Sequence, residues 1–136
     1  MFWICNEPHQ AVNLSNLATL HRSQERYTEA KPLLLRSVSI LQKQLGVNKS
    51  RTAKIVSNLA LLYDLQGHYR EAESLYLQTL PVLSNQPEES HSWRQEALQR
   101  FRSLLQNATQ EQRTNELSND PMTQEMLKQL QATTED

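Results

Sequence analysis

A chain of 136 residues with 38% hydrophobic residues is long enough for one domain with a thin core. Its net charge of −1 argues against nucleic acid or an acidic membrane surface as a partner held by long-range attraction. Two glycines disfavour a turn-rich β fold, and a single cysteine, Cys5, leaves no internal disulfide, so a reducing, cytoplasmic setting is expected.

Residues 1–10 read as a short N-terminal segment. The start Met1-Phe2-Trp3-Ile4-Cys5 is apolar, but too short for a signal peptide and without a basic flank. No apolar run approaches the ~18 residues that span a bilayer. From residue 11, Leu14, Leu17, Ala18 and Leu20 fall at helical spacing. Tyr27, Ala30, Leu33, Leu34, Val38 and Leu41 then form a second apolar stripe. Gly46 fits a helix C′ position, and Val47 to Thr52 is a short polar connector.

The second unit repeats this plan. Ile55, Val56, Leu59, Ala60, Leu62 and Tyr63 share one helix face. Gln66-Gly67-His68 breaks the run, and Tyr69, Ala72, Leu75, Tyr76, Leu80 and Leu83 follow on a second helix. Pro81 is expected to kink or shorten that helix, with Pro87 beyond it. Trp93, Ala97, Leu98, Phe101, Leu104 and Leu105 give a third helix in the same register. Arg102 stands where Ala60 stands, which signals that no second helix packs there and that residues 90–106 cap the stack. Residues 107–136 read as a mobile tail. Within it Asp120-Pro121 opens a short helix near 121–131, striped by Met122, Met126, Leu127 and Leu130.

The two units are copies at a spacing of 42 residues. Ser15-Asn16-Leu17-Ala18 returns as Ser57-Asn58-Leu59-Ala60, and Tyr27, Glu29 and Ala30 return as Tyr69, Glu71 and Ala72. Residues 15–46 laid on 57–88 are identical at 13 of 32 positions. Such periodicity marks stacked supersecondary units, here about 11–46 and 53–86 within a repeat region of 11–89.

The spacing Leu59-Ala60-x-x-Tyr63-x-x-x-Gly67-x-Tyr69-x-x-Ala72-x-x-x-Tyr76 resembles the tetratricopeptide repeat. The period and the Asn-Leu-Ala core are similar to its longer, kinesin-light-chain-like variety, common in bacterial multi-repeat proteins. The resemblance covers about residues 11–86. It implies an all-α, right-handed superhelical solenoid of helix-turn-helix repeats, whose first helices line a concave groove that binds a peptide or partner protein. The first unit departs from the pattern at His21, usually Tyr, and at Glu25, usually Gly.

Mapped here, the groove face gives three columns: Asn16, Asn58, Arg100; Ser15, Ser57, Gln99; and Arg22, Asp64, Gln106. Thr19, Lys54 and Leu61 complete the candidate peptide-binding set, with Val12, Glu96 and Ser103 beside them. An asparagine carries both donor and acceptor and can pair with a peptide backbone whatever its sequence. The alternative is that Asn16 and Asn58 bond a neighbouring helix. Arg22, Lys54 and Arg100 suit an acidic peptide or a C-terminal carboxylate, unless Asp64 and Glu96 already neutralise them.

Enzymatic readings are weak. His9, His21, His68 and His91 are scattered without metal-ligand spacing, and no phosphate loop or nucleophile motif is present. No catalytic residue, metal or cofactor is expected. Arg100-Phe101-Arg102 mixes base and aromatic, but Phe101 falls on the buried stripe.

The expected function is a non-enzymatic protein-interaction module. The alternatives are the C-terminal structural end of a longer array and a peptide-sensing regulator. The apolar edge of the first helix, unless covered by Phe2, Trp3 and Ile4, offers a surface for a homodimer or for further repeats upstream.

Overall fold

The structure is a computed structural model that describes residues 7–44, 50–84 and 91–134. The segment Phe2-Trp3-Ile4, Cys5, Gly46, the connector start at 47–49 and Pro87 lie outside the described residues. Among the described residues there are six α-helices, one 3-10 turn and no strand. They are α1 (Glu7–Ser23), α2 (Tyr27–Gln44), α3 (Ser50–Leu65), α4 (Tyr69–Ser84), α5 (His91–Gln110), the 3-10 turn Thr114–Glu116, and α6 (Pro121–Thr134).

Successive helices from α1 to α5 pack each on the next, and α3 also touches α5. Such packing of successive helices is that of a helical repeat solenoid. The pairs α1–α2 and α3–α4 are the two hairpins.

Each first helix ends in the same closure. The amide of Arg26 donates to the His21 carbonyl, that of His68 to Tyr63, and that of Arg113 to Ala108, each at 2.8 Å. The preceding residues adopt left-handed backbone: Glu25 at φ 62, Gly67 at φ 80 and Gln112 at φ 58. This is the Schellman arrangement, which satisfies the last carbonyls of a helix. Gly67 suits its place twice over. Left-handed backbone costs an L-residue about 1–2 kcal/mol. A Cβ at Gly67 would also approach Arg113 Nη1 to 3.2 Å. Glu25 accepts the same conformation without that relief, as its departure from glycine suggests.

Alanines sit where paired helices cross. Ala18 and Ala30 are buried in one core cluster, Ala60 and Ala72 in the other. Large side chains fill the seams between pairs. Tyr76 of α4 stacks on Phe101 of α5 at 5.6 Å between ring centroids, and both are fully buried.

The C-terminal part differs from the sequence reading in three ways. First, α5 runs past residue 106 to Gln110. Its closure at Gln112 comes three residues later than the 42-residue period, counted from Gly67, would put it. Second, a partner helix does arrive. It starts only after the detour through residues 114–120, so it does not need the Arg102 position. Leu127 of α6 is buried in the core cluster, with Met122, Met126 and Leu130 packed against it. Third, α4 continues through Pro81 to Ser84.

One buried carboxylate holds this last layer. Glu73 of α4 is only 1% exposed. It accepts from the Ser118 amide at 2.9 Å, the Ser118 hydroxyl at 2.7 Å and the Thr123 hydroxyl at 2.6 Å. Three donors compensate the desolvation of the charge. Asp120 caps α6, accepting from the Met122 amide at 2.9 Å, and Pro121 occupies the first helical position. Arg113 adds a second tie: it donates to the Gly67 carbonyl at 2.8 Å, covers the Tyr69 ring at 4.6 Å and pairs with Glu116.

Ala72→Leu is expected to cost roughly 1–3 kcal/mol by overpacking and to lower the melting temperature, while Thr28→Leu, at an exposed site, leaves it unchanged. Equal tolerance would mean that the helix faces are misassigned. Glu73→Ala strands the buried Thr123 hydroxyl and the half-buried Ser118 hydroxyl and amide, so a loss of about 3 kcal/mol is expected. Trypsin cleavage at Lys128 should accelerate with it, and Glu73→Gln should lose less. A neutral Glu73→Ala would show that α6 is held by something else.

Candidate groove surface

Four of the expected site residues come together with Glu96. Arg100 of α5 donates from Nη1 to Asn58 Oδ1 at 2.9 Å and to Ser57 Oγ at 3.4 Å, both on α3. Its Nη2 pairs with Glu96, one turn earlier on α5. Asn58 and Arg100 share one column of the repeat and Ser57 belongs to another, and the helical stacking puts them side by side. Arg22 of α1 belongs to the same field. Its pKa is lowered, first by burial and then by the like charge of Arg100, with Glu96 acting the other way. Two arginines from the first and third layers thus face one electrostatic environment across α3.

Lys54 is placed differently. Its ammonium lies over the Trp93 ring at 4.7 Å, a cation–π contact between α3 and α5. This contact joins residues on two helices at unequal repeat positions, so spacing alone does not announce it. Asn16 and Thr19 are exposed and Leu61 is half-buried. The Thr19 hydroxyl donates back to the Ser15 carbonyl at 3.0 Å.

Ser15, Ser57 and Asp64 are buried, so they belong to the seam under the face rather than to an open surface. Interior first helices must approach one another there, and small or desolvated residues fill the space. Of these three, Asp64 is the ionisable one. Burial pushes its carboxyl up to about 6, opposed by a hydrogen bond from Asn107 and reinforced by the charge of Glu111. Its Oδ1 is buried without a hydrogen-bond partner. The Tyr76 hydroxyl is also buried and unpaired, and burial raises its pKa first of all. Arg100, Asp64, Arg22 and Glu96 all act on it. Sequence reading assigns Tyr76 to packing alone, because nothing in its spacing reveals where the hydroxyl ends.

With Asp64 beneath the surface, the charged groups on the face are Arg22, Lys54 and Arg100 against the carboxylate of Glu96. The balance is cationic. Among the described residues no group of three or more His, Cys, Asp or Glu could hold a metal ion. No helix among them is long and apolar enough to cross a membrane.

The Asp64 carboxyl titrates higher in the fold than in the unfolded chain, so the unfolded state loses its proton first as pH rises. Stability from this group is therefore present below pH 4, falls between about 4 and 6, and stays low above. Asp64→Asn removes the penalty. It should stabilise at pH 7 by up to about 3 kcal/mol, and the gain should vanish near pH 4. Melting temperatures of both proteins across that range check it. A difference independent of pH would refute the assignment.

The Tetratricopeptide repeat family pattern matches residues 9–85, more than half of the chain. A comparison with curated proteins gives no match. The match begins and ends with the two helical hairpins, α1–α2 and α3–α4, whose closures, alanine crossings and 42-residue register are described above. The chain belongs to the tetratricopeptide repeat family.

Proposed function

We propose that the face formed by α1, α3 and α5 binds an acidic segment of a partner protein. Tetratricopeptide repeats generally mediate protein–protein interaction and are typically non-enzymatic. The 42-residue period supports the longer, kinesin-light-chain-like variety. The observation that carries the acidic-ligand reading is the Arg100 arrangement. Asn58 and Ser57 fix its guanidinium, Glu96 pairs with it, and the charged form of Arg22 is disfavoured first by burial and then by the charge of Arg100.

A carboxylate placed between Arg22 and Arg100 would relieve that repulsion. It would also gain charge-assisted hydrogen bonds from groups already held in position, which reduces the ordering cost of binding. Asn16 and Asn58 lie along the same face and suit the backbone of an extended chain. Asn58 then has a double role, orienting Arg100 as well as meeting ligand. Lys54, parked on Trp93, adds positive potential at the rim. Ser15, Ser57 and Asp64 support the face from below.

The test is fluorescence anisotropy with acidic, neutral and basic dodecapeptide libraries. Acidic peptides should bind best, and their affinity should weaken as salt is raised. Arg22→Gln with Arg100→Gln should weaken acidic binding at least about tenfold, since hydrogen bonds to charged groups are worth roughly 1.5–3 kcal/mol each. Circular dichroism should show the variant still folded. Equal binding of basic peptides, or no loss in the folded double variant, would overturn the reading.

A further inference from the structure

We infer that the outer face of α1 is a seat for the second helix of another unit of this repeat, placed ahead of it in the stack. The interior of the molecule shows what such a face is built to receive. On α3, Leu59 is 5% exposed and Leu62 is 1% exposed. With Ile55 and Val56 they share a core cluster with Ala30, Leu34, Val38 and Leu41 of α2, the second helix of the preceding unit. One period earlier, the equivalents of Leu59 and Leu62 are Leu17 and Leu20. These are 44% and 54% exposed. Leu14, in the place of Val56, is half-buried, and Asn13 stands in the place of Ile55.

The opposite end of the stack carries no such face. On α3, Ala53, Ser57 and Ala60 are buried; the two alanines share a core cluster with α4 and α5, and Ser57 accepts from Arg100 of α5. The α5 equivalents are Gln95, Gln99 and Arg102, which with Leu98, Ser103 and Gln106 line an open hollow of about 400 Å³. A bulky polar row there stops further stacking. The array is therefore closed at its C-terminal side and open at its N-terminal side.

A second copy of this chain is a poor occupant. Its α2 and α4 stripes are already covered by α3 and α5, and Leu127 of α6 is turned into its own core. Face-to-face pairing of α1 helices would rest on Leu17, Leu20 and Val12. Half-exposed side chains of that size offer on the order of 100 Å² each, far below the roughly 800 Å² per partner of a stable dimer. The occupant that matches is an amphipathic second helix with the α2 chemistry, spaced as Ala30, Leu34, Val38 and Leu41. This inference rests on the repeat packing and is independent of the acidic-ligand proposal.

The test adds such a helix. A copy of residues 8–49 is fused directly ahead of residue 8, so that a second α2 precedes α1 in the register in which α2 precedes α3. The fusion should melt at least about 5 °C above the original chain. Hydrogen exchange of the α1 amides should slow at least about tenfold, a gain expected when a stacking interface forms. Both gains should vanish when Leu34→Glu and Val38→Glu are placed in the added copy only. They should also vanish with Leu17→Gln and Leu20→Gln in the original α1, changes that leave the unfused chain's melting temperature nearly unchanged. A fusion no more stable than the chain, or gains that survive either pair of substitutions, would overturn the proposal. So would light scattering that shows the unfused chain to be a dimer dissolved by Leu17→Gln and Leu20→Gln.

Discussion

Close crossing of helices at alanine is the contact on which the rest of this molecule depends. Ala18 with Ala30, and Ala60 with Ala72, are buried where a first helix meets its partner. A methyl group there lets backbones approach, so that larger residues on either side can interdigitate. The turn then follows from geometry: a short reversal must end one helix and start the next, and the left-handed residue at 25, 67 or 112 does so. With the hairpins fixed, the outward stripes of α2 and α4 have one way to be buried, against α3 and α5. The face that carries Asn58 and Arg100 is a product of that stacking, not of any local motif.

The third layer departs from the plan of the first two. Its first helix keeps the apolar stripe that grips α4, as the stacked rings of Tyr76 and Phe101 demonstrate. Its other side is polar. The chain then departs from the repeat, with a late closure, a 3-10 turn and a helix that docks on α4 through Glu73. The position of Glu73 is Lys31 in the first unit, where the ammonium lies over Tyr63 at 4.8 Å. The same slot therefore serves a cation–π contact inside the repeat region and a buried carboxylate at its end. A carboxylate with three donors specifies one docking geometry for α6, which apolar contact by Met122 and Met126 would define less sharply.

Much of this was legible in the sequence, for a physical reason. A spacing of 42 residues and the Ala, Leu and Tyr positions are local or periodic signals, and they set the helices, the turns and the hairpins. The Asp120-Pro121 helix start is likewise a local signal. The fate of α6 was not legible, because the Glu73–Thr123 contact joins residues 50 apart with no periodic relation. Arg102 pointed to the absence of a partner helix at its own position but not to one that arrives by a detour. In the groove, Asn58 accepts from Arg100 of a neighbouring helix, the arrangement that the sequence reading set as the alternative to ligand contact. Asp64 went below the surface, since its column position alone does not say how closely α3 and α5 approach. Lys54 found Trp93 through a contact that only the three-dimensional stacking creates.

The central claim is that the two repeats and the helices α5 and α6 form one cooperative stack. Native-state hydrogen exchange of the full chain tests it most directly. The amides of α3, α4 and α5 should exchange together at the global unfolding rate, and those of α6 should be protected near that level. Protection should fall off at α1, the open edge. Independent exchange of the α1–α2 and α3–α4 hairpins, or unprotected amides throughout residues 121–134, would contradict the account.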